Sequence, residues 1–499
     1  MEKIKLPISL VFFVLCSLLL LLTRFSPFTD EAIFFDMTVR LSDGAGLSSS
    51  LFRDFIPGVD QQAYWYPPLY FYFLSPIFKI FGANIYVMRI FSLAIASIIL
   101  ILIYQIAHKL FNHRWAGLLS IWILILDRNF HVGAMLGRME FLVIGFGLGA
   151  VLLHLKFLEK RILLYNLLSG ICAALALLTH PTAAIFIAPI ALNLLLVKDQ
   201  SWKTKLMNMI FFIIPSIFGV GLWILNFWHD RGSFILQNLL QIHRKQFLET
   251  YIWQVFKSLS SHGMIFIGIV LATYLISNVA YLWRVVSNWN ESSSRKRLLF
   301  LLIISSSILP IMLKEMWYVV FIPLIGSISL SANAIWLWKK QPIILVIAGL
   351  AIFLPSLFLY SDAFKQHSLH RNEYFPLSQQ VADVLPLNAR VLISSLPDPY
   401  FYLYENRPDL DMRETPNSPP QEPIDASVYN LILGQVDYVI LSYIPNQHLN
   451  KYYQDNFESV IFSNKKVNGY SLQVIKLKPT EHRQQLSPNK DEVWSYPLK

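Results

Sequence analysis

Long apolar runs separated by short polar connectors fill the first 360 residues. They occupy 7–23, 85–107, 115–127, 141–158, 162–179, 182–197, 207–228, 263–283, 298–313, 317–338 and 341–360. A bilayer span takes roughly 20 apolar residues, so the pattern predicts an α-helical polytopic membrane protein of about eleven transmembrane helices, several of them short. A further apolar segment, 67–81, is crowded with Tyr and Phe and interrupted by Pro76. Its length and aromatics predict a short helix lying in the membrane interface and not a span.

The connectors set an orientation. With a cytoplasmic N-terminus, the inner loops carry Lys109 and Arg114, then Lys156, Lys160 and Arg161, then Lys198, Lys203 and Lys205. Arg284, Arg295, Lys296 and Arg297 follow, and finally Lys339 and Lys340. All the inner connectors are basic, as the positive-inside rule requires. The outer side then receives a long first loop, 24–84, with Asp30, Glu31, Asp36, Asp43, Asp54 and Asp60, and a second long connector near 229–260. The first run follows Lys3 and Lys5, yet its exit through Arg24 and Pro27 offers no small-x-small cleavage pattern, which predicts an uncleaved first helix.

Beyond Tyr360 the chain turns polar and proline-rich. Strand-like runs at 389–394, 436–441 and 470–476, with a hairpin turn at 465–469, predict a small α/β domain over 361–499. An odd number of spans places it outside, beyond a transmembrane domain of residues 1–360. These features fit a bacterial inner (plasma) membrane.

Composition agrees. Hydrophobic residues make up 55% and charged residues 14%, where a soluble domain needs roughly 25% charged. The net charge of +10 sits largely in the inner loops, so it speaks for topology and anionic-lipid contact and not for nucleic acid. Cys16 and Cys172 both lie in apolar runs, which argues against a disulfide framework. His131, His180, His229 and His262 fall near the outer face without metal-site spacing. No nucleotide-binding fingerprint, Walker loop or HExxH motif is present. No cofactor is called for, although a divalent cation is allowed.

Candidate chemistry gathers at the outer ends of the runs. Asp30 and Glu31 follow the first run directly: Thr29 caps a helix whose first turn favours carboxylates, and a carboxylate held there can also serve as a general base. Arg138 and Glu140 open the fourth run, where an arginine either snorkels to head groups or faces inward to bind phosphate. Lys314 and Tyr318 enter the tenth, as ordinary interfacial residues or as phosphate ligands. His180 lies in a tight outer turn, and Arg244 and Lys245 lie in the second long connector.

In order along the chain these features resemble the C-superfamily of membrane glycosyltransferases, in its family-39-like branch. The residues that carry the resemblance are Asp30-Glu31, Tyr66-Pro67-Pro68-Leu69-Tyr70-Phe71, Lys79 to Gly82 and Arg89 with His108 to Phe111. Gly137 to Glu140, Thr179-His180-Pro181 and Lys314 through Trp317-Tyr318 to Pro323 complete it, over roughly 1–340. Many relatives carry Asp two residues after the arginine, where this chain has Glu140. The resemblance implies a polyprenyl-phosphate sugar donor, a glycan, lipid or protein acceptor, and an outward-facing inverting transfer. It implies Asp30 as the base with Glu31 beside it. Arg138, Lys314, Tyr318, Arg244 and Lys245 would hold the donor phosphate, and Tyr66, Tyr70, Glu140 and His180 would line the cavity. The alternatives are a lipid-linked glycan flippase, which would show repeated halves and interrupted helices, and an O-antigen polymerase or ligase.

Overall fold

The computed structural model describes residues 2–23, 27, 29–53, 55–198, 200–246, 262–313, 316–338, 342–395, 398–414, 434–442, 456–465 and 471–483. Each of the eleven apolar runs is met by a helix. In chain order the helices are α1 (Glu2–Thr23), α2 (Thr29–Ser42), α3 (Leu69–Phe81), α4 (Ile85–Phe111), α5 (Arg114–Leu126), α6 (Arg128–Met135), α7 (Glu140–Lys160) and α8 (Leu163–Thr179). They continue with α9 (Ala184–Leu196), α10 (Trp202–Phe227), α11 (Arg231–Gln246), α12 (His262–Ser287), α13 (Ser294–Leu313), α14 (Phe321–Trp338), α15 (Pro342–Val384) and α16 (Tyr400–Asn406). Among the described residues, five helical segments are long and apolar enough to cross a membrane, or six if the bent pair α5–α6 counts as one. Two of the helices on the predicted runs are short: α8, at 17 residues, and α9, at 13, rise less than the roughly 30 Å of hydrocarbon.

Three local expectations change. Residues 128–135, read as connector, form α6, which leaves α5 at a bend of 72°. The buried carboxylate of Asp127 makes the bend: Oδ1 accepts from Phe130 N–H at 3.0 Å, capping α6, and Oδ2 accepts from the Tyr274 hydroxyl at 3.0 Å. Pro76 does not break α3, which runs through it. The composition shift at 360 falls inside α15, a 43-residue helix that leads from the apolar bundle into the C-terminal region without a break.

In the bundle, α4 packs against α5 and α7, α7 against α8, and α8 against α10, while α14 bridges α5 and α12. The α8–α10 contact is set by Gly170, where a Cβ would come 2.3 Å from the Phe212 carbonyl oxygen. Small residues of this kind let helices in lipid approach closely, where no hydrophobic driving force separates them from the acyl chains. Cys16 and Cys172 are free and part-buried.

The C-terminal strands are β1 (Arg390–Ser394), β2 (Asp411–Glu414), β3 (Tyr438–Ser442), β4 (Phe457–Lys465) and β5 (Ser471–Leu477), in the sheet order β2-β1-β3-β5-β4. The β1–β2 and β1–β3 pairs are parallel, while β5 is antiparallel to β3 and β4. The three strand-like runs and the closing β4–β5 hairpin are present. β2 (Asp-Met-Arg-Glu) escaped the reading because its sequence is polar. The hairpin turn, 466–470, lies outside the described residues. Buried Tyr374, Leu377 and Val381 on α15 belong to the same hydrophobic core as Val391, Leu392 and Val439 of the sheet, and α15 contacts β4.

This domain is seated on α2. Phe35 meets the rings of Phe401 and Tyr404, both at 5.2 Å between centroids. The Glu414 N–H donates to the Leu51 carbonyl at 2.9 Å, and Arg53 pairs with Asp411. Asp36, also on α2, accepts from Ser49 Oγ, Ser50 N–H and Ser50 Oγ at 2.7–2.8 Å, which pins the first long loop to the same helix. Burial pushes its carboxyl pKa up, against the pull of those hydrogen bonds.

Candidate active site

Three helix ends converge on one charged cluster. The first turn of α2 presents Asp30 and Glu31, the start of α4 presents Arg89, and the segment entering α7 presents Arg138 and Glu140. Arg138 lies between two carboxylates. Its Nη1 pairs with Asp30 Oδ2, while Nη2 and Nε reach Glu140 at 2.7 and 3.1 Å. Burial alone would lower the Arg138 pKa, but the charges of Glu140 and Asp30 raise it well above the ordinary value, so the group is a fixed cation. One guanidinium against two carboxylates leaves a net negative charge. Asp30 is 30% exposed, while Arg138 and Glu140 are 7% and 5% exposed. The accessible atoms of the trio are therefore those of Asp30.

Glu31 is placed differently from its neighbour. It is fully buried and accepts a fork from Arg89, Nε at 2.8 Å and Nη2 at 2.6 Å, together with the Gly137 N–H at 2.9 Å. This pair locks α2 against α4 and fixes the backbone one residue before Arg138, and Glu31 has no exposed surface. Sequence reasoning placed Arg89 in the motif without its partner. The signal was a charge in the first turn of an apolar span, which requires a counter-ion.

An aromatic row leads away from the cluster. The Arg138 guanidinium carbon lies 5.7 Å from the centre of the Phe34 ring, and half-buried Tyr66 meets Phe34 edge-on at 5.1 Å. Tyr66 stands 6.4 Å from the His180 ring, and His180 stands 5.7 Å from Tyr318. The Thr182 N–H donates to His180 Nδ1 at 3.2 Å, the Thr182 hydroxyl lies 2.9 Å from the same nitrogen, and His180 Nε2 lies 3.4 Å from the Tyr318 hydroxyl. Tyr70, expected in the cavity lining, has no exposed surface: it is packed behind Phe34, between Phe71 and Phe91. It supports the row from behind.

The remaining candidates fall elsewhere. Lys314 lies outside the described residues, and α11 runs through Arg244 and Lys245, whose side chains are also outside them. Buried His131 ties α6 to α1, with Nδ1 3.1 Å from Ser17 Oγ and Nε2 2.6 Å from the Ile125 carbonyl. Among the described residues no three His, Cys, Asp or Glu side chains group as a metal site would require.

A membrane-embedded helical bundle with an acid–guanidinium cluster at one end and a small mixed sheet over it defines a class that comparison with known proteins sharpens. Residues 66–223 match the family model described as dolichyl-phosphate-mannose-protein mannosyltransferase. The fold is similar over 93% of this chain and 97% of the other to ArnT from Cupriavidus metallidurans bound to undecaprenyl phosphate, with a TM-score of 0.59 and 11% identity. The apo state of the same protein gives the same values. It is also similar over 99% of this chain and 75% of the other to the archaeal oligosaccharyltransferase AglB from Archaeoglobus fulgidus, in complex with an inhibitory peptide and a dolichol-phosphate, with a TM-score of 0.55 and 11% identity. No curated protein sequence matches. The chain thus resembles the C-superfamily membrane glycosyltransferases of the family-39-like type.

Proposed function

We propose that this protein transfers a sugar from a polyprenyl-phosphate donor to an acceptor hydroxyl at the outer face of the membrane, with inversion at the anomeric carbon. One observation carries the reading: in the Asp30–Arg138–Glu140 cluster the partly exposed carboxylate is directly paired with a buried, fixed guanidinium. A displacement at a sugar-phosphate carbon needs a base on the attacking hydroxyl and a cation on the leaving phosphate. Both groups stand here in contact.

Asp30 accepts the hydroxyl proton as the new C–O bond forms at the anomeric carbon. The bond from that carbon to the phosphate oxygen breaks, and the electron pair leaves with the lipid phosphate. Arg138 turns from Asp30 to the phosphate when the donor enters, while Glu140 keeps its hold. Donor arrival thereby frees the base. Charge growing on the departing phosphate strengthens the Arg138 contact in the transition state. Lys314 supports the phosphate, joined by Arg244 or Lys245, while Tyr66, His180 and Tyr318 form the wall along which the sugar lies. A divalent cation can assist at the phosphate.

The names of the neighbouring structures, which include undecaprenyl phosphate and dolichol-phosphate, support a lipid-phosphate donor. The bend at Asp127 is a feature a transporter would use. Both Asp127 carboxylate oxygens, however, are engaged in forming that bend.

Asp30→Asn keeps the side chain's size and tests the assignment. In purified protein given a panel of polyprenyl-phosphate sugars, transfer should fall by ~10²–10⁴ while insertion and melting temperature hold. Near-full turnover would remove Asp30 from the mechanism. Sidedness is tested separately, with single cysteines at exposed Asp43 and Leu387 and at Ser293, in a background lacking Cys16 and Cys172. An impermeant thiol reagent should label the first two from outside and Ser293 only after the membrane is opened.

A further inference from the structure

At the opposite end of α7 from Arg138, roughly 30 Å away along 21 helical residues, lies a second concave site that the transfer chemistry does not use. It is an open cleft of about 540 Å3 formed where α7, α8 and α10 meet. Its lining is cationic and polar on one side, with Arg161, Lys203, Thr204 and Gln200, and apolar on the other, with Phe157, Leu163 and Met207, the last two running on into the exposed helix surface. Buried Asn208 closes the back by donating to Gln200 Oε1 at 3.2 Å.

Among the described residues, charge at this rim is unbalanced. No carboxylate pairs with Arg161 or Lys203 among the described residues. Glu159, the acid nearest in sequence to Arg161, is held by Lys109 of α4 at 2.6 Å. Lys156 and Lys160 stand 6.0 and 5.7 Å from the centre of the Tyr165 ring and add positive charge to the same end of the bundle. The first turn of α10 contributes the positive end of a 26-residue helix.

Below the rim the surface is that of a lipid-facing helix pair. Leu163 and Leu164 on α8, and Leu206, Met207 and Ile210 on α10, are each more than 40% exposed. Trp202 is 66% exposed at the level of the cations, where an amphipathic indole suits the head-group region. A cationic rim that continues directly into an acyl-facing surface fits a molecule with an anionic head and an apolar tail.

We propose that this cleft binds an anionic glycerophospholipid of the leaflet opposite the candidate active site. Its phosphate lies between Arg161 and Lys203, and its acyl chains run down the α8–α10 face. The site does not depend on the transfer reaction, and both its cations are remote from Asp30 and Arg138.

The test uses the full chain purified in detergent, with native mass spectrometry and thermal unfolding as readouts. Three additions are compared: dioleoyl phosphatidylglycerol, dioleoyl phosphatidylcholine and inorganic phosphate. Phosphatidylglycerol should give a discrete bound species and a rise in melting temperature, with neither from the other two. Arg161→Gln with Lys203→Gln should weaken that binding on the order of thirtyfold, the loss expected for two interfacial charges. Arg114→Gln with Lys296→Gln, an equal charge loss from inner connectors outside the cleft, should leave it unchanged. Equal binding of phosphatidylcholine, equal loss in both double variants, or full binding retained by the first would each overturn the proposal. A shift from inorganic phosphate alone would reduce the cleft to a simple anion site and would also overturn it. Because the lipid comparison is made on the unmutated chain, a variant that fails to fold leaves the test intact.

Discussion

Each charged residue in the cluster takes its role from the partner it meets, and adjacent residues diverge sharply. Asp30 and Glu31 share one helical turn, yet Glu31 is sealed by Arg89 and the Gly137 N–H while Asp30 keeps an exposed edge. Arg138 should therefore be sensitive to geometry as well as charge. Its fork holds Glu140 through two nitrogens while a third faces Asp30, a division that a lysine ammonium cannot reproduce. Arg138→Ala should lower turnover by ~10²-fold or more, through the lost contact to the leaving phosphate. Arg138→Lys should retain part of the activity, and acceptor affinity should change little in both. Intact turnover with weakened acceptor binding would pass the phosphate role to Lys314 or Arg244. Arg89→Ala should act differently, leaving Glu31 buried and unpaired, at a cost in stability of about 3–5 kcal/mol. It should show first as reduced yield and melting temperature.

Among the elements, what the sequence made legible is what apolar length and charge alternation encode. A helix meets every predicted run, the short helix α3 is present, and two of the three charge motifs at the run ends, Asp30 and Arg138 with Glu140, come together. Features decided by tertiary contact were not legible. α6 depends on Asp127 being buried beside Tyr274, and the polar strand β2 is recruited by its parallel pairing with β1. α15 continues through a polar stretch because its far end packs on the sheet. The glycines separate into two kinds only in three dimensions. Gly170 faces the Phe212 carbonyl, a backbone atom that cannot swing away, whereas a Cβ at Gly221 would meet nothing within 4 Å. Gly170→Val should force α8 from α10 and destabilise by at least ~1–3 kcal/mol. Gly221→Ala should be neutral or stabilising by up to ~1 kcal/mol through helix propensity. Thermal unfolding of the two variants in detergent checks both, and equal melting temperatures would mean that the α8–α10 approach is looser than the structure shows.

In the whole molecule, the C-terminal domain, the first long loop and the charged cluster form one connected body, and a buried acid lies at their junction. Asp398 is fully buried before α16; its Oδ1 accepts the Tyr400 N–H at 2.8 Å, and it interacts with the Glu414 carboxyl at the end of β2. Burial is the main cause that raises its pKa, to about 6, and the charge of Glu31 adds to it, while the hydrogen bond with Glu414 and that from Tyr400 oppose it. Tyr374 of α15 faces the same group, and both Asp398 and Arg89 act on the Tyr374 hydroxyl. An unfolded chain would release the Asp398 proton near pH 3.9, so between about pH 4 and about pH 6 the folded state holds a proton that the unfolded state has lost. Stability from this source is fully present below about pH 4 and falls as pH rises through about 6. The span of two units corresponds to about 3 kcal/mol at most. Above that range Asp398 carries a buried charge at the seat of the domain on α2, close to Glu31 and hence to Asp30. Melting temperature and hydrogen exchange across 390–395 and 398–414 should therefore show the domain loosening between about pH 4 and about pH 6. Asp398→Asn, which cannot ionise, should flatten that dependence and raise the melting temperature relative to wild type at pH 7.5. An unchanged slope in the variant would place the titration elsewhere and leave the buried pair with a packing role alone.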